Sequence, residues 1–481
     1  MTTTAQGRRP DHRPIPRSIS LGLGSGTMLQ ALNSSMIAVA IVGIAAYFGS
    51  AQGSSWVISA LYIATAVTAP TAGRLGVLLG PRRVYLAGLL MIGVGAVVGA
   101  LAPTLGWLIF ARVLLGIGTA SQYPNAMTII RNIAEHTGAQ TRSAIAVLTV
   151  CAQSMVALGP TIGGVLVGLF GWQSIMWVNL PMVVLTFVWV WRRVPADPPT
   201  ARDTVGAREF LRSLDPMGTA LFLGLVASTM FLLLSLTGHP LWWLVPVVAV
   251  LTASFVGWEA RTPTPFIDVR TVARNRALSM TLGRTLMTYT AFYCVFFGLP
   301  QWLQESRGFS ATVAGLLMLP VALVGIGSTM TASRTFAVHG PRRTLMVGTV
   351  GLVVGGLLLT LVENGASPVW VLLLVACVLG IPNGFNNMGN QNLINSVTSP
   401  GEVGTAIGIY RTIQYIGANL AAVVIELTLR RPMDDAGLHR TGLVIAIIGG
   451  LLLAGVLCSR TLRQWRQPVD LGEAVAVDSR G

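Results

Sequence analysis

The chain contains no lysine; all 32 of its basic residues are arginine. A Walker A phosphate loop needs a lysine, and so does a Schiff base. ATP hydrolysis through a P-loop of its own is therefore excluded. Acids are also scarce, with 17 Asp and Glu, and charged residues make up 10% of the 481 positions. A soluble domain carries roughly 25%. Too few charges remain to cover a water-facing surface. Cysteine is sparse: Cys151, Cys294, Cys377 and Cys458 lie in or beside apolar stretches without short spacing. That pattern reads as buried free thiols, not a disulfide framework or metal site. His12, His136, His239, His339 and His439 are scattered and form no zinc constellation. No metal or cofactor is expected. About 18 mostly polar residues precede a first apolar stretch too long for a signal-peptide core, so no cleavable leader is expected.

Long uncharged runs are what the chain does have. Residues 84–102, 143–191 and 216–258 hold no Asp, Glu or Arg. A helix crossing a bilayer needs roughly 20 apolar residues, and only helices and closed barrels satisfy their backbone in lipid. The short alternating segments of a barrel are absent, so the chain reads as an all-α membrane protein. Fourteen spans fit, near 19–42, 54–72, 84–102, 105–130, 143–168, 174–191, 216–237, 241–258, 279–301, 311–333, 344–362, 368–390, 403–427 and 441–458. The net charge of +15 does not imply nucleic acid, because the arginines punctuate the spans rather than forming a patch.

Arginine placement orients the spans. With a cytoplasmic N-terminus, 25 arginines fall on the inside, among them Arg8, Arg9, Arg13, Arg202, Arg208, Arg212, Arg466 and Arg480. Four fall outside (Arg307, Arg430, Arg431 and Arg440), and Arg112, Arg284 and Arg411 lie within spans. This bias predicts that both termini are cytoplasmic; the expected location is the plasma membrane, as a multi-pass protein.

The chain also repeats itself. Thr71-Ala72-Gly73-Arg74 and Gly80-Pro81-Arg82-Arg83 recur as Thr331-Ala332-Ser333-Arg334 and Gly340-Pro341-Arg342-Arg343. Leu115-Gly116-Ile117 recurs as Leu379-Gly380-Ile381. The expected organisation is a six-helix bundle over 1–191, a linker with two inserted helices over 192–278, and a second six-helix bundle with a tail over 279–481. Parallel six-span repeats around a central cavity are a transporter architecture.

Several local motifs then resemble the major facilitator superfamily, and the span count resembles its drug:proton antiporter branch. They are Leu32-Asn33-Ser34-Ser35-Met36-Ile37 in span 1, Trp56 and Pro70 in span 2, and Gly73-Arg74-Leu75 with Gly80-Pro81-Arg82-Arg83 after it. Next come Ala111 to Gly118 around Arg112 in span 4, Gly159-Pro160-Thr161-Ile162-Gly163-Gly164 in span 5, and Trp177-Val178-Asn179-Leu180-Pro181 at span 6. The resemblance implies that the span 5 stretch marks an exporter whose halves rock against each other, and that Arg112 serves coupling and conformational exchange. Proline bends the helix there and glycines admit a close neighbour; plain small-residue packing accounts for the same stretch. Similar members carry acids at the places of Asn33 and Val77. Their absence leaves proton coupling open.

Intramembrane charge and amides are costly in lipid, so they face a cavity or a partner. Asn383, Asn386, Asn387 and Asn390 fall on one face of span 12, and Gln122 and Asn125 give span 4 a milder polar face. With Asn33, Arg112, Arg284 and Arg411 they are the expected substrate pathway. Helix-to-helix hydrogen bonding is the competing role for the amides, carbonyl bonding for Arg112, and snorkelling for the other two arginines. Glu426 is read as pairing with Arg430. Gly73, Arg74, Gly80, Arg82, Arg83, Gly159, Pro160, Gly163, Gly164, Arg342 and Arg343 are the expected conformational residues. The expected function is secondary active export of small amphipathic molecules by alternating access. An uncoupled facilitator or exchanger of neutral or anionic metabolites, or a transport-dead sensor or assembly factor, are the alternatives. Expected partners are a small-molecule substrate, the bilayer and, if coupling exists, protons.

Overall fold

The computed structural model describes residues 14–49, 53–197, 215–236, 239–263, 265, 267, 269–398, 403–429 and 433–463. Arg8, Arg9, Arg13, Arg202, Arg208, Arg212, Arg430, Arg431, Arg466 and Arg480 lie outside these residues. No β-strand occurs among the described residues. Each of the fourteen expected spans falls on a helix or helix pair. By length and apolarity alone, eight described helices could cross a membrane, or up to ten if each bent pair counts as one span. Arg276–Glu305 and Val403–Thr428 fall outside that set, and Leu244–Glu259 is short at 16 residues. The first two are spans 9 and 13, whose threonines, tyrosines and arginines serve the protein interior rather than lipid.

The repeat seen in the sequence is also a repeat of contacts. Gly80 (φ 98°) and Gly340 (φ 75°) each turn the chain between two helices in a conformation that favours glycine. Each is followed by a proline suited to a helix start. A Cβ on Gly116 would lie 2.6 Å from the Leu61 carbonyl oxygen, and one on Gly380 would lie 2.7 Å from that of Val321. Gly88 faces Gln122 just as Gly348 faces Asn386. Span 4 therefore lies against spans 2 and 3 as span 12 lies against spans 10 and 11, backbone close to backbone. Small residues permit that approach where lipid offers no hydrophobic drive for helix association.

The inserted helices, Pro216–Ser235 and Leu244–Glu259, lie along the seam of spans 2 and 13. Phe222 and Phe255 pack on Ala66, Val67 and Ile416, and Met230 packs on Ile63, Ala422 and Val423.

Candidate functional site

Span 1 is broken into Arg17–Ser35 and Ile37–Phe48, which meet at 49°. No proline or glycine lies at the break. Two serines do. Ser34 Oγ donates to the Ala31 carbonyl, and Ser35 Oγ donates to Ala31 and to Met155 of span 5. Serine bonding back onto its own helix bends it. At the break, the backbone carbonyl of Asn33 accepts from Arg112 Nη1 at 3.1 Å, and the Val57 carbonyl accepts from Nε at 2.9 Å. Arg112 is 1% exposed. It clamps spans 1, 2 and 4 together inside the first bundle through two charge-assisted hydrogen bonds.

Asn33 does not line a pathway. Its amide is buried and pairs reciprocally with Asn179 of span 6; Asn179 Nδ2 donates back to Asn33 Oδ1 at 3.1 Å. Asn33 also donates to the Leu29 carbonyl at 2.8 Å. A neutral amide clasp stands at the position where the resemblance implies an acid.

The span 5 motif stands against this break and against the other half. Gly159 faces Ser35, and Gly163 faces Met36. A Cβ on Gly164 would lie 2.5 Å from the Ala311 carbonyl oxygen and 3.1 Å from Gly315 Cα, while Gly315 faces the Pro160 carbonyl. Thr161 Oγ1 donates to the Gly315 carbonyl at 2.9 Å, and Thr312 Oγ1 donates to Gly164 at 3.0 Å. Gln304 Nε2 reaches the Val39 carbonyl at 3.1 Å, and Ser55 Oγ donates to Glu426 at 2.7 Å. These bonds join the two halves at the end opposite the arginine-rich loops, which is shut. Glu426 thus bridges the halves through Ser55; Arg430 lies outside the described residues.

The amides of spans 4 and 12 separate into two groups. Gln122 and Asn125 are fully buried. Gln122 Nε2 bonds the Tyr85 and Gly118 carbonyls, and Asn125 Nδ2 bonds those of Ala72 and Ser121. Asn386 and Asn390 are each 1% exposed and line neither of the two spaces that Asn383 borders. Asn386 rests on Gly348 of span 11, and neither amide has a hydrogen-bond partner among the described residues. Asn33, Gln122, Asn125 and Asn386 thus meet neighbouring helices in this structure, and Asn390 is buried. Within span 12 the reason is angular. At about 100° per residue Asn386 and Asn387 stand at the two edges of a roughly 100° arc, so one meets a neighbouring helix and the other the cavity. Asn383 and Asn387 sit on the cavity side. With Thr288, Tyr289, Phe292, Val295, Leu352, Leu379 and Pro382 they line about 380 Å³ of atom-free space. Asn383 also lines a second space, of about 260 Å³, with Val156, Ala157 and Pro160 of span 5.

One strong feature escaped the sequence reading. Tyr289, Phe292, Tyr293, Phe296 and Phe297 of span 9 recur at i, i+3, i+4, i+7 and i+8, one helical stripe. Tyr293 stacks on Phe297 with centroids 5.2 Å apart and meets Tyr62 of span 2 at 5.4 Å. Tyr62 lies 6.0 Å from Tyr415, whose hydroxyl meets Gln30 Nε2 of span 1. Such pairs contribute about 0.5–1.5 kcal/mol each beyond area burial. The stripe builds an aromatic seam between the halves. Arg411 joins it, with Cζ 4.6 Å from the Tyr123 ring centroid. Arg284 Nη2 bonds Thr281 Oγ1 of its own helix at 2.9 Å.

The loop residues are placed as follows. Gly73 packs near Pro124. Arg74 donates to the Pro265 carbonyl beyond the insert. Asp197 caps the helix after Gly80, accepting from the backbone N–H of Arg82 at 3.0 Å and of Arg83 at 2.9 Å. Arg82 Nη2 bonds the Trp191 carbonyl at 2.5 Å, near the C-terminal end of span 6. Arg342 is half-buried and Arg343 exposed, as Arg82 and Arg83 are. At the opposite end Glu363, just past span 11, is 1% exposed. Burial pushes its carboxyl up to about 8, and Arg307 opposes the shift. His439 approaches the Glu363 backbone carbonyl at 2.9 Å.

Comparison with known proteins agrees with this architecture. The chain is 33% identical over 432 residues to the uncharacterized MFS-type transporter YwoD of Bacillus subtilis, covering 90% of this chain and 94% of that one. It is 28% identical to the multidrug resistance protein Stp of Mycobacterium tuberculosis, over 75% of this chain and 66% of that one. The xylose transporter XylE from E. coli, in a partially occluded inward-open conformation, shares the fold with a TM-score of 0.61 at 12% identity, over 92% of this chain and 98% of that one. The Major Facilitator Superfamily model matches residues 23–422, and the chain belongs to that family of membrane transporters.

Proposed function

We propose that the chain is a secondary active exporter of small amphipathic molecules. Its bundles at 1–191 and 279–481 rock about the aromatic seam, and both termini are cytoplasmic in the plasma membrane. The observation that carries this reading is the contact of Gly164 and Pro160 with Gly315 across the halves. It makes the span 5 motif part of a surface that must separate when the shut end opens. The apolar space edged by Asn383 and Asn387 suits an amphipathic ligand, since small-molecule pockets are mostly apolar with a few placed polar groups. The relatives that bear multidrug-resistance names point the same way.

Uncoupled facilitation or exchange is the second reading, favoured by the Asn33–Asn179 clasp where related members place an acid. Inside-out vesicles incubated with a panel of external drugs and metabolites, assayed with and without a pH gradient, separate the two. Concentrative uptake that collapses with the gradient supports coupled export. Equilibration that ignores the gradient supports the second reading, and no flux of any compound overturns both.

A further inference from the structure

We propose that Arg411 is the anion-binding residue of the substrate site, so that the preferred substrate is a small aromatic anion such as a carboxylate or sulfonate. This rests on the transporter reading above and adds the charge of the cargo and the residue that reads it.

The three intramembrane arginines differ in their partners. Arg112 spends two N–H groups on backbone carbonyls, and Arg284 bonds a threonine of its own helix. Arg411 makes no hydrogen bond and no ion pair among the described residues; its Nε is buried without a partner, as are Arg284 Nε and Arg112 Nη2. Its one described contact is the ring of Tyr123, which reaches it across the seam from the other half. Tyr410, its neighbour in sequence, meets Tyr289 of span 9 with ring centroids 6.5 Å apart. Helix Val403–Thr428 carries one acid, Glu426. That acid stands fifteen residues further on (426 minus 411), about 22 Å at the rise of an α-helix, and bonds Ser55.

A guanidinium stays charged when buried. A tyrosine face returns about 0.5–2 kcal/mol, short of the several kcal/mol that desolvating an ion costs. The site is therefore left with a cation that an incoming anion would neutralise, and with tyrosine rings to cover an aromatic body. Arg411 does not itself line the apolar space; its sequence neighbour Tyr410 adjoins it. Tyr289 and Asn387 line that space, and Asn387 Oδ1 accepts from the hydroxyl of Tyr410, the residue before Arg411.

The test is calorimetric titration of the purified full-length protein in detergent with three probes: 1-naphthoate, neutral 1-naphthamide, and a naphthyl-trimethylammonium cation. The wild type should bind naphthoate at least about tenfold more tightly than naphthamide, with the cation weakest. Arg411→Gln should abolish that preference while naphthamide binding persists, which shows that the variant is folded. Arg411→Lys should restore part of it. The proposal is overturned if the wild type fails to bind naphthoate, shows no preference for it, or keeps its preference in Arg411→Gln. Efflux of naphthamide by Arg411→Gln in vesicles reports on the export reading separately, because that compound carries no charge for Arg411 to read.

Discussion

Replacing Gly164 by alanine places one methyl group between the halves. The new Cβ would stand 2.5 Å from the Ala311 carbonyl oxygen and 3.1 Å from Gly315 Cα. Both are backbone atoms, so no side chain can swing aside. Reaching an ordinary contact of about 3.4 Å requires the helices to part by roughly 0.9 Å there. The same separation weakens the bonds from Thr161 to Gly315 and from Thr312 to Gly164. Overpacking of this kind costs about 1–3 kcal/mol. Only the state shut at this end bears the cost, so the equilibrium should move toward the opened state by about 5- to 150-fold. Spin labels at Phe170 and Trp370, exposed residues on the two halves, read the movement by pulsed electron–electron distance measurement in a background lacking the native cysteines. The wild type should show mainly the shorter distance, and Gly164→Ala should populate a longer one with slowed transport. Gly257→Ala is the control, since nothing lies within 4 Å of its Cβ position. An unchanged distance distribution in Gly164→Ala would refute the assignment of this contact to the closing surface.

Three further outcomes are expected. Asn33→Ala should lower thermal stability by about 1–3 kcal/mol, because the buried Asn179 Oδ1 loses its donor while Nδ2 keeps the Ile175 and Met176 carbonyls, and the pH dependence of transport should stay that of the wild type; a changed pH profile would show that the clasp takes part in coupling. Glu363 has a folded-state pKa of about 8 against 4.5 unfolded, so the native state binds the extra proton between those values and stability should fall as pH rises through that window; Glu363→Gln should flatten the slope in a melting series from pH 4.5 to 8.5, and an unaltered slope would exclude this carboxyl as its source. Asp197→Ala removes an acceptor from the N–H groups of Arg82 and Arg83 and should cost about 0.5–2 kcal/mol, measured by thermal unfolding of the detergent-solubilised protein.

Most of the helices were legible because bilayer thickness imposes a length and apolarity; spans 9 and 13, which are more polar, and the short Leu244–Glu259 fall outside that rule. The two turn glycines were legible because Gly-Pro at a helix start is a local rule, and both adopt positive φ. The amides were harder. Asn386 and Asn387 are adjacent in sequence, and a turn of about 100° between them separates a residue resting on Gly348 from one lining the cavity. A polar face says that lipid is avoided, but not whether a helix, a cavity or another amide is met. The span 9 aromatic stripe had a clear period, yet its partners Tyr62 and Tyr415 come from distant helices.

The sequence by itself determined the class of molecule, the order of its helical segments, the internal repeat and the family. Each depends on local pattern, such as apolar length, glycine placement and recurring motifs. Tertiary structure alone decided which polar groups satisfy one another and which remain available. Arg112 and Arg411 are both lone arginines in apolar helices. One is bound by the Val57 and Asn33 carbonyls, and the other is left with the face of Tyr123. That difference arises because span 1 breaks beside Arg112 and frees a carbonyl there, while Arg411 faces the seam between the halves.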